Sequence, residues 1–97
     1  MSIARHVVIH GRVQGVGFRA FVEDTAEHLA LEGWVRNRRD GTVELVFAGP
    51  EQAVAAAIEA CRDGPRGAHV DAVEVEEGDA SLLQQREGAR FAVLRTA

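Results

Sequence analysis

Tyrosine is absent from this 97-residue chain, cysteine and tryptophan each occur once, and proline occurs only twice. A single cysteine, Cys61, cannot form an internal disulfide, and without a CxxC pair or a Cys/His quartet no structural zinc site can assemble. No apolar run approaches the roughly 20 residues needed to span a bilayer, and the first residues lack the basic stretch and apolar core of a secretory leader. Secretion and membrane insertion are therefore not expected, and the cysteine usage suits a reducing, cytoplasmic setting. Positive charge is also in short supply: 11 cationic against 15 acidic side chains leave a net charge of −4. That balance argues against broad binding of a nucleic-acid backbone. Arg36, Arg38 and Arg39 still make one end locally basic, which suits a small anion.

What is present describes one domain over residues 1–97, 46% hydrophobic and 27% charged. Residues 5–13 are rich in β-branched side chains, with Val7, Ile9, Gly11 and Val13 on one face and Val8, His10 and Arg12 on the other, which predicts a strand. Over 18–31 the period changes to helical: Phe18, Val22, Ala26 and Leu29 share one side, and Glu23, Asp24, Glu27 and His28 the other. Gly33 is the expected left-handed terminus of that helix. A strand at 34–39, a two-residue Asp40-Gly41 turn and a strand at 42–48 make a hairpin, with Val43, Leu45 and Phe47 alternating against Thr42, Glu44 and Val46. Gly49-Pro50-Glu51-Gln52 opens a second helix with proline at its first position, and Val54, Ile58 and Cys61 form its buried stripe. Asp63-Gly64-Pro65 stops it. A fourth strand at 69–76, a polar loop at 77–88 and a short strand at 91–94 complete the chain. The order predicts an α+β, ferredoxin-like βαββαβ sandwich: an antiparallel sheet with two helices on one face, plus a short extra C-terminal strand.

The segment Gly11-Arg12-Val13-Gln14-Gly15-Val16-Gly17-Phe18-Arg19 stands where the first strand stops and the first helix begins. Glycine lacks the Cβ that bars positive φ, so Gly15 and Gly17 let successive N–H groups converge on one point. The following helix adds its unpaired N–H groups and positive dipole end, and Arg19 can offer a planar fork to two oxygens of an anion. A glycine-rich turn beside a solvated arginine is the plainer alternative. The spacing matches neither GxxxxGK[ST] nor a clean GxGxxG, so nucleoside triphosphates and dinucleotides are poor candidates.

In a split βαβ arrangement the first two strands run the same way, which brings the glycine loop and the first hairpin to one end of the sheet. Asn37 lies just before that hairpin. Asparagine is depleted in strand interiors and common in turns. Beside an anion cradle, however, its carboxamide could hold a water in a fixed orientation without adding charge.

Residues 9–19 and 33–43 resemble the acylphosphatase family, enzymes that hydrolyse carboxyl-phosphate anhydrides. Gly11 to Arg19 is similar to the family's phosphate loop. Gly33-Trp34-Val35-Arg36-Asn37, followed by Asp40-Gly41-Thr42-Val43-Glu44, is similar to its second motif, and the stretch from Gly64-Pro65 to Val70 is a weaker match. Only 78–90 departs from the pattern. The resemblance implies Arg19 and Asn37 as catalytic residues, and Gln14, Gly15, Val16, Gly17, Phe18 and Arg19 as the phosphate-binding run. It further implies an acyl phosphate substrate, inorganic phosphate as product and inhibitor, and neither metal nor other cofactor. A cytoplasmic monomer without nucleic-acid or membrane partners is expected.

Two alternatives keep the same topology. One is a non-catalytic binder of phosphate or carbamoyl phosphate; the other is an RNA-binding sheet, which would want exposed aromatics where this chain offers Val8, His10 and Arg12. His6, His10, His28 and His69 have no ligand spacing and are expected at the surface. Cys61, Trp34 and Phe18 are expected in the core, with Phe18 anchoring the loop.

Overall fold

The computed structural model describes residues 2–86 and 88–97. Its elements are β1 (Ser2–Arg12), α1 (Phe18–His28), β2 (Glu32–Asn37), β3 (Val43–Pro50), α2 (Glu51–Asp63), β4 (His69–Gly78), a 3₁₀ helix (Ala80–Gln85) and β5 (Phe91–Val93). The strands form one sheet in the order β4-β1-β3-β2-β5. β1 and β2 are both antiparallel to β3 and so run the same way, which sets the β1–α1 loop and the β2–β3 hairpin at one end. Val7 and Ile9 on β1, opposite Leu45 and Val43 on β3, are fully buried beneath the helices. Phe18, Val22 and Ala26 of α1 and Val54, Ala57, Ile58 and Cys61 of α2 close over them. Removing this apolar stripe from water is the main stabilising contribution of both helices. Burial pushes the Cys61 thiol up to about 12, which makes it an inert core residue as its position on the stripe predicts.

Several boundaries differ from the sequence pattern. α1 stops at His28, and the left-handed step is made by Ala30 at φ 55°, with the Leu31 N–H donating to the Ala26 carbonyl at 2.8 Å. Apolar Leu29 and Leu31 prolong the helical period past the point where the chain leaves the helix. Gly33 does not cap the helix; it lies inside β2, where a Cβ would stand 1.8 Å from the Val46 carbonyl oxygen. Pro50 precedes the first helical residue of α2 rather than occupying it. The hairpin loop runs through residues 39–41 instead of two residues: Gly41 N–H donates to Arg38 C=O at 3.1 Å, and Arg38 N–H to Thr42 C=O at 2.9 Å. This is a three-residue loop of the type I plus bulge kind.

β3 does not alternate. Every residue from Val43 to Ala48 is buried, because the face without α-helices is covered as well. Residues 77–88 do not simply loop out. β4 continues to Gly78, Asp79 accepts from the Ser81 N–H at 2.9 Å to start the 3₁₀ helix, and the Trp34 indole N–H donates to the Leu82 carbonyl at 2.7 Å. Glu87 lies outside the described residues. β4 ends at the edge where β2 begins, so a strand reached along that edge runs with β2. β5 accordingly pairs parallel to it, Gly33 opposite Phe91 and Val35 opposite Val93, and the sheet is mixed rather than wholly antiparallel.

The covered face holds a charge network that the histidine spacing did not predict. Glu44, 8% exposed, accepts from Arg36 Nε at 2.6 Å and pairs with His6 Nε2 at 2.7 Å, while the Arg36 guanidinium lies 4.9 Å from the Trp34 ring centroid. Burial raises the tendency of Glu44 to protonate, but the hydrogen bonds from His6 and Arg36 and their charges together outweigh it and hold the carboxyl below its ordinary range. A depressed carboxyl contributes stability above its unfolded value, and that contribution fades as pH falls through the folded one. Glu44→Gln should therefore cost about 1–3 kcal/mol at neutral pH. The deficit, read as a shift in the urea midpoint, should shrink below about pH 4.5, the ordinary glutamate value. A deficit that grows in acid would exclude this account.

Candidate active site

At the end of the sheet shared by the β1–α1 loop and the β2–β3 hairpin lies a cleft of about 390 Å³. Gly15, Gly17, Phe18 and Arg19 line one side, and Asn37 lines the sheet side. Gly15 and Gly17 have φ of 74° and 80°, and Gly17 is the residue before the first turn of α1. An added Cβ would meet nothing within 4 Å at either position, so the glycines are required by conformation and not by crowding. No side chain caps α1 at Gly17, and none of the N–H groups from Gly15 to Ala20 donates to a described main-chain carbonyl. They are left as a nest of donors at the positive end of the helix dipole, the arrangement that receives a tetrahedral anion.

Arg19 is half-buried and, among the described residues, takes part in no ion pair or side-chain hydrogen bond. Its donors are free for an anion in the cleft. Asn37 ends β2 and is likewise half-buried, with its carboxamide uncommitted among the described residues. Its main chain is held firmly: Ala97 N–H donates to the Asn37 carbonyl at 3.0 Å, Leu94 N–H to Val35 at 2.8 Å, and Arg39 N–H to Ala97 at 2.8 Å. The parallel pairing begun by β5 is thus carried on by residues 94–97, stitched to both sides of Asn37.

Not all of the run expected to bind phosphate faces the cleft. Gln14 donates its side-chain amide to the carbonyls of Arg38 at 2.7 Å and Thr42 at 2.8 Å, so both of its side-chain N–H donors tie the loop to the hairpin. Val16 turns its side chain against the core, and Phe18 is 2% exposed, the anchor its apolar position predicts. For these residues only main-chain N–H groups remain available to a ligand. Arg36 leaves the expected basic end altogether, since alternation along β2 puts it on the face opposite Asn37, against Glu44. At the hairpin tip Asp40 accepts from the Thr42 hydroxyl at 2.6 Å and its N–H at 3.0 Å, bonds that hold the carboxyl below the usual range and fix the loop beside Gln14.

Besides Asn37, four lining residues lie outside the expected binding run: Val13, Ala20, Glu23 and Val93. Glu23 is exposed, as the helical period predicts, and it also borders the cleft one turn beyond Arg19; that i, i+4 spacing is the signal that could have found it. Among the described residues no group of three or more His, Cys, Asp or Glu could hold a metal ion, and no helix is long and apolar enough to cross a membrane.

The acylphosphatase family model matches residues 5–92. An acylphosphatase from Rhodopseudomonas palustris (strain BisB18) is 54% identical over 96 residues, covering 98% of this chain and 97% of the relative. Among solved structures, an acylphosphatase from Bacillus subtilis is 39% identical with a TM-score of 0.83, covering 95% of this chain and 98% of its own. One from Coxiella burnetii is 36% identical with a TM-score of 0.85, covering 96% and 93%.

Proposed function

The chain belongs to the acylphosphatase family, and on that premise we propose how its own residues carry out the hydrolysis. It is a hydrolase of small acyl phosphates, cleaving R–CO–O–PO₃²⁻ with water to a carboxylate and inorganic phosphate. The main-chain N–H groups from Gln14 to Arg19 grip the phosphoryl oxygens, and the Arg19 guanidinium closes the cradle. Asn37 orients the attacking water in line with the departing carboxylate.

Phosphoryl transfer to water passes through a loose transition state, so catalysis is chiefly positioning plus stabilisation of charge on the equatorial oxygens. Preorganised amides and one guanidinium supply the second. A fixed carboxamide supplies the first. The leaving carboxylate is weakly basic and needs no general acid, and the proton released by water can pass to the phosphate itself. On this reading neither a metal nor another cofactor is required. Inorganic phosphate, the product, fits the same cradle and acts as a competitive inhibitor. The enzyme works as a cytoplasmic monomer without a nucleic-acid or membrane partner, in keeping with its acidic balance and lone buried thiol.

The observation that supports this reading most directly is that the Arg19 guanidinium and the Asn37 carboxamide, both without side-chain partners among the described residues, border one cleft with the uncapped start of α1. The test is hydrolysis of benzoyl phosphate by purified protein in excess EDTA. Undiminished turnover, inhibited competitively by inorganic phosphate, is expected; turnover that vanishes with the chelator and returns with a divalent cation would overturn the metal-free scheme.

A further inference from the structure

Resting on the hydrolysis just described, we propose that the groove between α1 and β5 takes the acyl end of the substrate, and that Glu23 selects there against acyl groups carrying a second negative charge. With the phosphoryl group held at the start of α1, the carbonyl substituent must leave along the wall that the cradle does not occupy. That wall is formed by Ala20 and Glu23 of α1 and Val93 of β5. Glu23 lies one helical turn from Arg19, about 6 Å along the axis. The cleft does not end at Glu23. A second cavity of about 370 Å³ shares this residue and continues between the same two elements, past Glu27 and Leu31 to Phe91 and Arg90.

The groove therefore combines an apolar floor with acidic side chains on its helical rim, while the cation Arg90 lines the farther cavity and not the cleft that Arg19 and Glu23 share. Of the described residues lining the nearer cleft, Glu23 and Arg19 are the charged ones, and Arg19 belongs to the phosphate end. Glu23 takes part in no ion pair among the described residues, so its charge is not neutralised locally. A neutral acyl group meets apolar surface, a cationic one meets an attractive carboxylate, and an anionic one meets a like charge. Because Glu23 is exposed, the discrimination is moderate and weakens as salt screens it.

The experiment uses a matched pair of substrates, benzoyl phosphate and 4-carboxybenzoyl phosphate, whose para carboxylate reaches about one helical turn from the carbonyl carbon. The ratio of their kcat/KM values is measured at low ionic strength for the parent chain, Glu23→Gln and Glu59→Gln. Glu59 lies on the exposed side of α2, so its variant removes one charge away from the groove. Comparing ratios between variants cancels the intrinsic reactivity of the two anhydrides. Glu23→Gln should shift the ratio about three- to tenfold towards the carboxylated substrate, with the shift collapsing at about 0.5 M salt, and Glu59→Gln should leave it at the parent value. A ratio that Glu23→Gln does not move, or that Glu59→Gln moves equally, overturns the role of Glu23 while leaving the hydrolysis intact. If the parent turns over neither substrate, the reading of the reaction itself fails.

Discussion

Arg19→Ala should lose benzoyl phosphate hydrolysis by about 10³-fold or more, and lose inhibition by inorganic phosphate with it. The two losses belong together because, among the described residues, the guanidinium has no other occupation. Among the described residues it pairs with no acid and donates no hydrogen bond, so truncating it removes no structural contact of that kind. The melting temperature should accordingly stay close to the parent's. Arg19→Lys separates charge from shape. An ammonium keeps the positive charge but presents it as a point, whereas the planar fork can bond two phosphoryl oxygens at once and hold them as charge builds. Severe impairment of the lysine variant is expected, and near-normal turnover by it would show that charge alone suffices at this position.

Asn37→Ala should lower kcat by on the order of 10²-fold while leaving competitive inhibition by phosphate in place. This pattern separates a group that orients the nucleophile from one that binds the phosphoryl group, since a lost anchor would weaken inhibitor and substrate alike. The backbone at Asn37 is bonded through its carbonyl to Ala97 and flanked by the Val35 and Arg39 bonds to the same segment, so the substitution should not release the strand. An alanine variant that turns over at the parent's rate would remove Asn37 from the mechanism.

Much of the site could be read from the residues alone because its signals are local. Positive φ at Gly15 and Gly17, the uncapped turn that follows, and an asparagine next to a hairpin are properties of short segments. The two long-range facts that join them, the shared direction of β1 and β2 and the common end of the sheet, follow from element order. What escaped was set by surfaces that meet from distant parts of the chain. Glu23 reads as solvent-facing from helical period, and only the arrival of β5 beside α1 turns its position into a groove wall. β3 reads as half-buried from its Glu44, yet Arg36 and His6 satisfy that carboxylate from neighbouring strands, and Trp34 and the 3₁₀ helix cover the same face. Gly33 looks like a helix terminus because a sequence shows that glycine is needed without showing which neighbour forbids a Cβ. The side-chain role of Gln14 is hidden for a similar reason. Its position in the loop was legible, but the two carbonyls that claim its amide belong to the hairpin.

The bonds from residues 94–97 to either side of Asn37 give the site an order of assembly. On the ribosome the glycine turn, Arg19 and the hairpin all emerge while the outer edge of β2 still has no neighbour, and that edge is completed only by residues made long afterwards. On the reading proposed above, the segment that fixes the backbone of the water-orienting residue is therefore the last part of the site to be made.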